Sequence, residues 1–212
     1  MPQGHSGFGR VRSLLLVRHA ATSATRAAAF PAGEELDERG RKQAAGLAAA
    51  VPRHAQVITS PARRCRQTAE AAGLTAAVDG GIAECDFGTW AGRSLTEVNA
   101  DDPRAVQSWM LDPESAPHGG ESLTMFAARI GRWLDDQAEH GGRMLVITHG
   151  EVVKASVVHA LGAPLPAFWR VDASPLSITE LHAHGGRWTV ARLNCALRSE
   201  DQARSAPDVA RA

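Results

Sequence analysis

The sequence predicts an α/β protein, a three-layer α/β/α sandwich around a mostly parallel, doubly wound sheet. Three observations lead there. The runs Leu14 to Val17, Gln56 to Thr59 and Met144 to Thr148 are short, continuous and apolar, as strands covered on both faces are. Stretches with apolar residues three and four apart fall between them. No fixed-period repeat and no Pro/Gly/Ser-rich linker divides the 212 residues.

In chain order, residues 1–12 are Gly-rich and polar and read as a flexible leader. A single domain is expected over 13–198, and a disordered tail over 199–212. Leu14 to Val17 opens the sheet. Asp37 is placed to cap a helix with Ala44, Leu47, Ala48 and Val51 on its apolar stripe, stopped by Pro52. After the second strand, Pro61 marks the start of a helix carrying Arg63, Arg64, Arg66 and Thr68. Ser122 caps a longer helix with Leu123, Phe126, Ile130, Trp133 and Leu134 facing inward. Val152 to Leu161 follows the third strand as a helix. Ser177 to Leu181 and Arg187 to Ala191 close the fold as a hairpin around Gly185 and Gly186.

Composition removes whole classes of function. Twenty-three basic residues balance 23 acidic ones, so the chain carries no electrostatic footprint for nucleic acid or a membrane surface, and neither is an expected partner. Cys65, Cys85 and Cys195 are odd in number, widely spaced and without a C-x-x-C pair. That argues against disulfides and a structural zinc and fits a reducing, cytoplasmic compartment. The first apolar run is far too short for a signal-peptide core or a membrane span.

In open α/β sheets ligands bind beyond the carboxyl ends of the strands. Those ends are polar here: Arg18, His19 and Thr22 follow the first strand, Ser60, Arg63 and Arg64 the second, and His149, Gly150 and Glu151 the third. Arginine forks match phosphoryl oxygens, and helix starts add backbone N–H donors. The rim is therefore suited to phosphate.

The segments Leu-Val-Arg-His-Ala-Ala-Thr, Thr-Ser-Pro-Ala-Arg-Arg-Cys-Arg-Gln-Thr-Ala, Glu-Cys-Asp-Phe-Gly-Thr-Trp-Ala-Gly, Gly-Gly-Glu-Ser and Val-Ile-Thr-His-Gly resemble, in order, the motifs of the histidine phosphatase (phosphoglycerate mutase-like) superfamily, from about Leu14 to Asn194. The resemblance implies that His19 is the nucleophile and forms a phosphohistidine. It implies that Arg18, Arg64 and His149 hold the phosphoryl group, and that Glu84 protonates the leaving oxygen and then activates water, with Asp86 in reserve. Thr22 and Gly150 are expected to contact substrate, Thr22 through its hydroxyl. No metal and no cofactor is implied. Ala20 stands where the family usually has glycine, so its backbone must avoid positive φ. Ala62 stands where a leucine is usual. A carboxyl acid needs a raised pKa, which burial beside Phe87 and Trp90 would supply.

The expected activity is hydrolysis of a small phosphorylated metabolite by a metal-independent phosphomonoesterase. Only 65 positions separate Glu84 from His149, too few for the long insertion of mutase-type relatives, and the Phe-Gly-x-Trp-x-Gly segment resembles phosphatase branches. Phosphoryl transfer of the mutase type, or noncatalytic binding of a phospholigand, are the alternatives. Specificity is expected from the segment between Glu84 and His118 and from Phe168-Trp169-Arg170, while the substrate, pH optimum and oligomeric state are not encoded in any motif. His182 and His184 share a strand face but lack a third metal ligand. His159 and Trp133 read as packing residues. Glu121 and Ser122 read as fixing a helix start, with orientation of Arg64 as the other role open to Glu121.

Overall fold

The computed structural model describes residues 11–197 except Arg53. The elements are β1 (Arg12–Arg18), α1 (Ser23–Ala27), α2 (Glu38–Ala44), β2 (Gln56–Thr59), α3 (Arg63–Ala71), β3 (Ala77–Val78), α4 (Leu95–Asp101), α5 (Pro103–Leu111), α6 (Leu123–Ala138), β4 (Gly142–Thr148), α7 (Gly150–Ala160), β5 (Ile178–His184) and β6 (Arg187–Cys195). They form a six-stranded sheet of order β3-β2-β4-β1-β5-β6. β3, β2, β4 and β1 are parallel, and β5 runs antiparallel to both β1 and β6.

Alternation along the strands builds the two faces. Leu14 and Leu16 of β1 pack with Val146, with Phe126, Ile130 and Leu134 of α6 and with Val152 of α7. Leu15 and Val17 point the other way, with Leu145, Ile147, Leu47, and Cys65 and Ala69 of α3. A third cluster, Phe30, Phe87, Trp90, Val98 and Val106, is built by α4, α5 and the loops beside them and meets the first through Cys85 and the Trp109–Trp169 contact.

Strand register assembles the rim. Arg18 of β1 pairs with Thr148 of β4, and Thr59 of β2 pairs with Ile147, so the three parallel strands end in step. The His19 N–H donates to Thr148 O at 2.8 Å and the Ser60 N–H to Ile147 O at 3.0 Å, extending the ladder by one residue into the loops.

Several expected boundaries move. Of the expected leader, only Val11 and Arg12 are described, and Arg12 is already a sheet residue, paired with Gly142 and Ala183. The expected tail, 199–212, lies outside the described residues. The helix after Asp37 is α-helical only to Ala44 and tightens into a 3-10 segment over Ala45–Ala50. Gly46 within that stretch is a poor helix former. α3 begins at Arg63, with Ala62 and not Pro61 at its edge. Asp37 and Ser122 cap as expected, accepting from the N–H groups of Gly40 and Met125. Among the described residues no helix is long and apolar enough to cross a membrane.

Candidate active site

His19 leaves β1 on the ladder bond just described and is only 4% exposed. Its Nδ1 lies 2.7 Å from Ala20 O, so Nδ1 carries the proton and Nε2 keeps a lone pair. Ala20 holds an ordinary negative φ, as a non-glycine residue requires there. Arg64 sits on the buried side of the first turn of α3. Its Nε donates to His19 Nε2 at 3.2 Å, and one terminal nitrogen donates to Glu84 Oε2 at 3.1 Å and to His149 Nδ1 at 3.2 Å. One guanidinium thus holds three residues from three separate segments.

His149 is fully buried at the end of β4, where it opens α7. Its Nε2 lies 2.7 Å from Ser60 Oγ and its Nδ1 2.8 Å from Glu84 Oε2. The two histidine rings meet nearly edge to face, centroids 5.4 Å apart. Arg18 donates to Ala173 O at 2.7 Å, while its Nε is buried without a hydrogen-bond partner among the described residues. A Cβ on Gly150 would stand 3.3 Å from that Nε, so glycine lets the Arg18 side chain lie across the start of α7.

The electrostatics follow from burial and from the two arginines. Burial first, then the neighbouring His149 and Arg64, holds the His19 imidazole well below its ordinary range, and burial with Arg64 does the same to His149. Both are neutral near pH 7. Burial raises the Glu84 carboxyl above its ordinary value, against the pull of Arg64. The aromatic neighbours expected to cause that rise, Phe87 and Trp90, instead belong to the third cluster, around Phe30, and Glu84 lies against Arg64 and His149.

Arg18, His19, Arg64, Glu84, His149 and Gly150 therefore converge. Thr22 does not present a free hydroxyl: it caps α1, its Oγ accepting from the Thr25 N–H at 3.1 Å and lying 3.5 Å from Glu34. Asp86 is exposed and accepts from the Gly88 N–H. Glu121 orients Arg129 and not Arg64, meeting it through two bonds of 2.9 and 2.7 Å. Arg129 in turn donates to the carbonyls of Gly81, Ala83 and Glu84, so it braces the loop that carries the acid. Trp133 packs as expected, but His159 is surface-facing and pairs with Asp135. His182 pairs with Glu180.

Sequence reasoning placed Ser60 and Glu151 on the polar rim but gave them no role. It missed two further contributors. Glu34, 3.6 Å from Arg64, and the Ala173 carbonyl come from loops without a local signature. Also unexpected, ligand atoms of His19, Glu84 and His149 lie within 4.8 Å of one another, a spacing a metal ion would accept. Arg64 already donates into the middle of that trio, and a second cationic side chain, Arg18, flanks it. The donor set suits an oxyanion better than a cation.

A family model, the histidine phosphatase superfamily (branch 1), matches residues 14–196. The chain belongs to that superfamily. Relatives of this histidine phosphatase include phosphoserine phosphatase 1 of Hydrogenobacter thermophilus, 31% identical across 85% of this chain and 91% of that protein. A bifunctional protein of Mycobacterium tuberculosis is 32% identical across 84% of this chain but 52% of its own length, so the chain spans about half of that relative. The solved mycobacterial glucosyl-3-phosphoglycerate phosphatase superposes with a TM-score of 0.77 at 28% identity, covering 88% of this chain and all of the other.

Proposed function

We propose that this chain is a phosphomonoesterase that hydrolyses a small phosphorylated metabolite in two displacements through His19, without a metal. The observation that carries the reading is the Arg64 guanidinium held at once by His19 Nε2, Glu84 and His149. A phosphoryl group entering there takes over donors that the resting site keeps aimed at its own lone pairs. His19 Nε2 attacks phosphorus while the P–O bond to the leaving group breaks, and Glu84 gives its proton to that oxygen. Water then attacks the phosphohistidine, passes a proton to Glu84 and frees His19 with inorganic phosphate. Arg18, Arg64 and His149 meet the charge on the equatorial oxygens, the part a metal plays elsewhere. The phosphatases among its relatives support hydrolysis as the outcome.

The test is to mix the enzyme with p-nitrophenyl phosphate and trap the intermediate. Phosphate should appear on one histidine, stable to base and labile to acid, and His19→Ala should lose both label and turnover while keeping its fold by circular dichroism. Turnover should survive exhaustive chelation. Substantial activity in His19→Ala, or recovery that needs added metal, would overturn the mechanism.

A further inference from the structure

Beside the phosphoryl cradle lies a cavity of about 380 Å³. That size is at the small end of ligand pockets, about 300–1,000 Å³. Three of its lining residues tie it to the site: Arg18 precedes His19 in the chain, Cys85 follows Glu84, and Glu151 lies two residues after His149. The cavity therefore adjoins the segments that carry His19, Glu84 and His149.

Most of its lining is apolar. Phe30 and Phe87 meet at 4.9 Å, Phe30 and Trp109 at 5.6 Å, Trp109 and Trp169 at 4.8 Å and Trp169 and Phe168 at 5.1 Å, each distance between ring centroids. The rings thus form a connected, mostly edge-to-face wall drawn from four parts of the chain. Ala24, Ala28, Ala29 and Pro31 line it further. Thr25 supplies the single hydroxyl among the lining residues, and the charged groups there are Arg18, Glu151 and Lys154. Lys154 Nζ rests over the Phe168 ring, 5.1 Å from its centroid. Burial and the nearby Glu84 push the Glu151 carboxyl upward.

Resting on the phosphatase reading above, we propose that this cavity is an apolar leaving-group subsite, and that the preferred substrates are phosphomonoesters of alcohols with a planar ring or compact hydrocarbon body. A polyhydroxylated or amino-acid leaving group would bury hydroxyls and charges against rings that offer them few partners. A flat apolar body displaces water and stacks on Trp109 and Trp169, both only half-buried in the resting protein.

The experiment compares kcat/KM for 2-naphthylmethyl phosphate, glycerol phosphate and O-phosphoserine, all esters of primary alcohols that need a proton on departure. The naphthylmethyl ester should lead by at least about tenfold, and Trp109→Ala should cut that lead severalfold. Separately, 2-naphthylmethanol should bind to the protein with inorganic phosphate present and change its tryptophan fluorescence, a readout that needs no turnover. Hydrolysis that favours the hydroxylated esters, or an alcohol that leaves the fluorescence unchanged, overturns the subsite while leaving the phosphatase reading intact. Alcohol binding without hydrolysis of any ester overturns the phosphatase reading and keeps the subsite.

Discussion

Glu84 Oε2 stands 2.8 Å from His149 Nδ1, inside a site where burial shifts both groups toward their neutral forms. A single proton serves that contact. On Glu84 it makes a neutral carboxylic acid donating to the imidazole, and on His149 it makes an ion pair that burial opposes. The pair titrates as a unit, with Arg64 contacting both members.

The first prediction concerns pH. His19 binds its proton more weakly folded than unfolded, so below its ordinary value of about 6.5 the unfolded chain holds more protons and folding stability is lost as pH falls. Above that value the contribution is fully present. The raised Glu84 and Glu151 act in the opposite sense: their protonated forms favour the fold at low pH, and that benefit fades as pH rises through their folded values. Comparing unfolding free energies of wild type and His19→Asn across pH 5 to 8 isolates the histidine. Wild type should lose ground to the variant as pH drops below about 6.5, and parallel curves would mean that His19 is not held neutral by the fold.

The second prediction concerns Arg64. A lysine keeps the charge but offers one ammonium where the fork meets His19, Glu84 and His149 together. Arg64→Lys should lower kcat/KM by about 10²-fold or more and weaken competitive inhibition by inorganic phosphate. A loss in kcat with phosphate inhibition unchanged would place Arg64 outside the phosphoryl contacts.

The strands, the caps at Asp37 and Ser122 and the converging set at the sheet rim were legible because each depends on local pattern: continuous apolar runs, a short polar residue before a helix, and motif residues just past a strand end. α4 and α5 were legible in principle. Ser94 and Glu97 form a capping box, and Asp102 caps a helix with Pro103 in its first turn. The short α1 and the two-residue β3 carry too few residues for any periodicity to register. What local pattern cannot reveal is pairing across distance. Thr22 looks like a free hydroxyl in the sequence and is consumed by its own helix cap, and the alternative role of Glu121 toward Arg64 is lost because Arg129 of α6 meets both its oxygens.

That last pairing gives the third prediction. Arg129 ties Glu121 to the carbonyls of Gly81, Ala83 and Glu84, and the loop is further fixed where Gly88, at φ +45°, passes so near His118 O that a Cβ would stand 2.0 Å away. Arg129→Met should destabilise the protein by about 1–3 kcal/mol, the cost of removing charge-assisted hydrogen bonds from a partly buried site. It should also lower kcat for alkyl phosphates more than for p-nitrophenyl phosphate, because it moves the acid and leaves the nucleophile in place. Equal losses for the two substrates would reduce Arg129 to a purely structural brace.

The final prediction separates the acid from the phosphate holders. A group that donates a proton to the leaving oxygen typically contributes about 10²- to 10⁴-fold, and only where that oxygen needs the proton. p-Nitrophenolate leaves without one; an alkoxide does not. Glu84→Gln keeps a hydrogen-bonding side chain of the same size between Arg64 and His149 but cannot release a proton. Phosphorylation of His19 by p-nitrophenyl phosphate should then stay within a few-fold of wild type while phosphorylation by an alkyl phosphate falls by the full factor. Steady-state rates would blur the contrast, since the same carboxylate serves as base for water in the second displacement and its loss slows breakdown of the phosphohistidine with either substrate. The pre-steady-state burst reads the first displacement alone. Retained burst amplitude with p-nitrophenyl phosphate, a slow second phase and no detectable burst with an alkyl ester would fix Glu84 as the acid. Equal suppression of the burst by both leaving groups would show that its contact with Arg64 and His149 holds the cradle in shape and that the proton comes from another group.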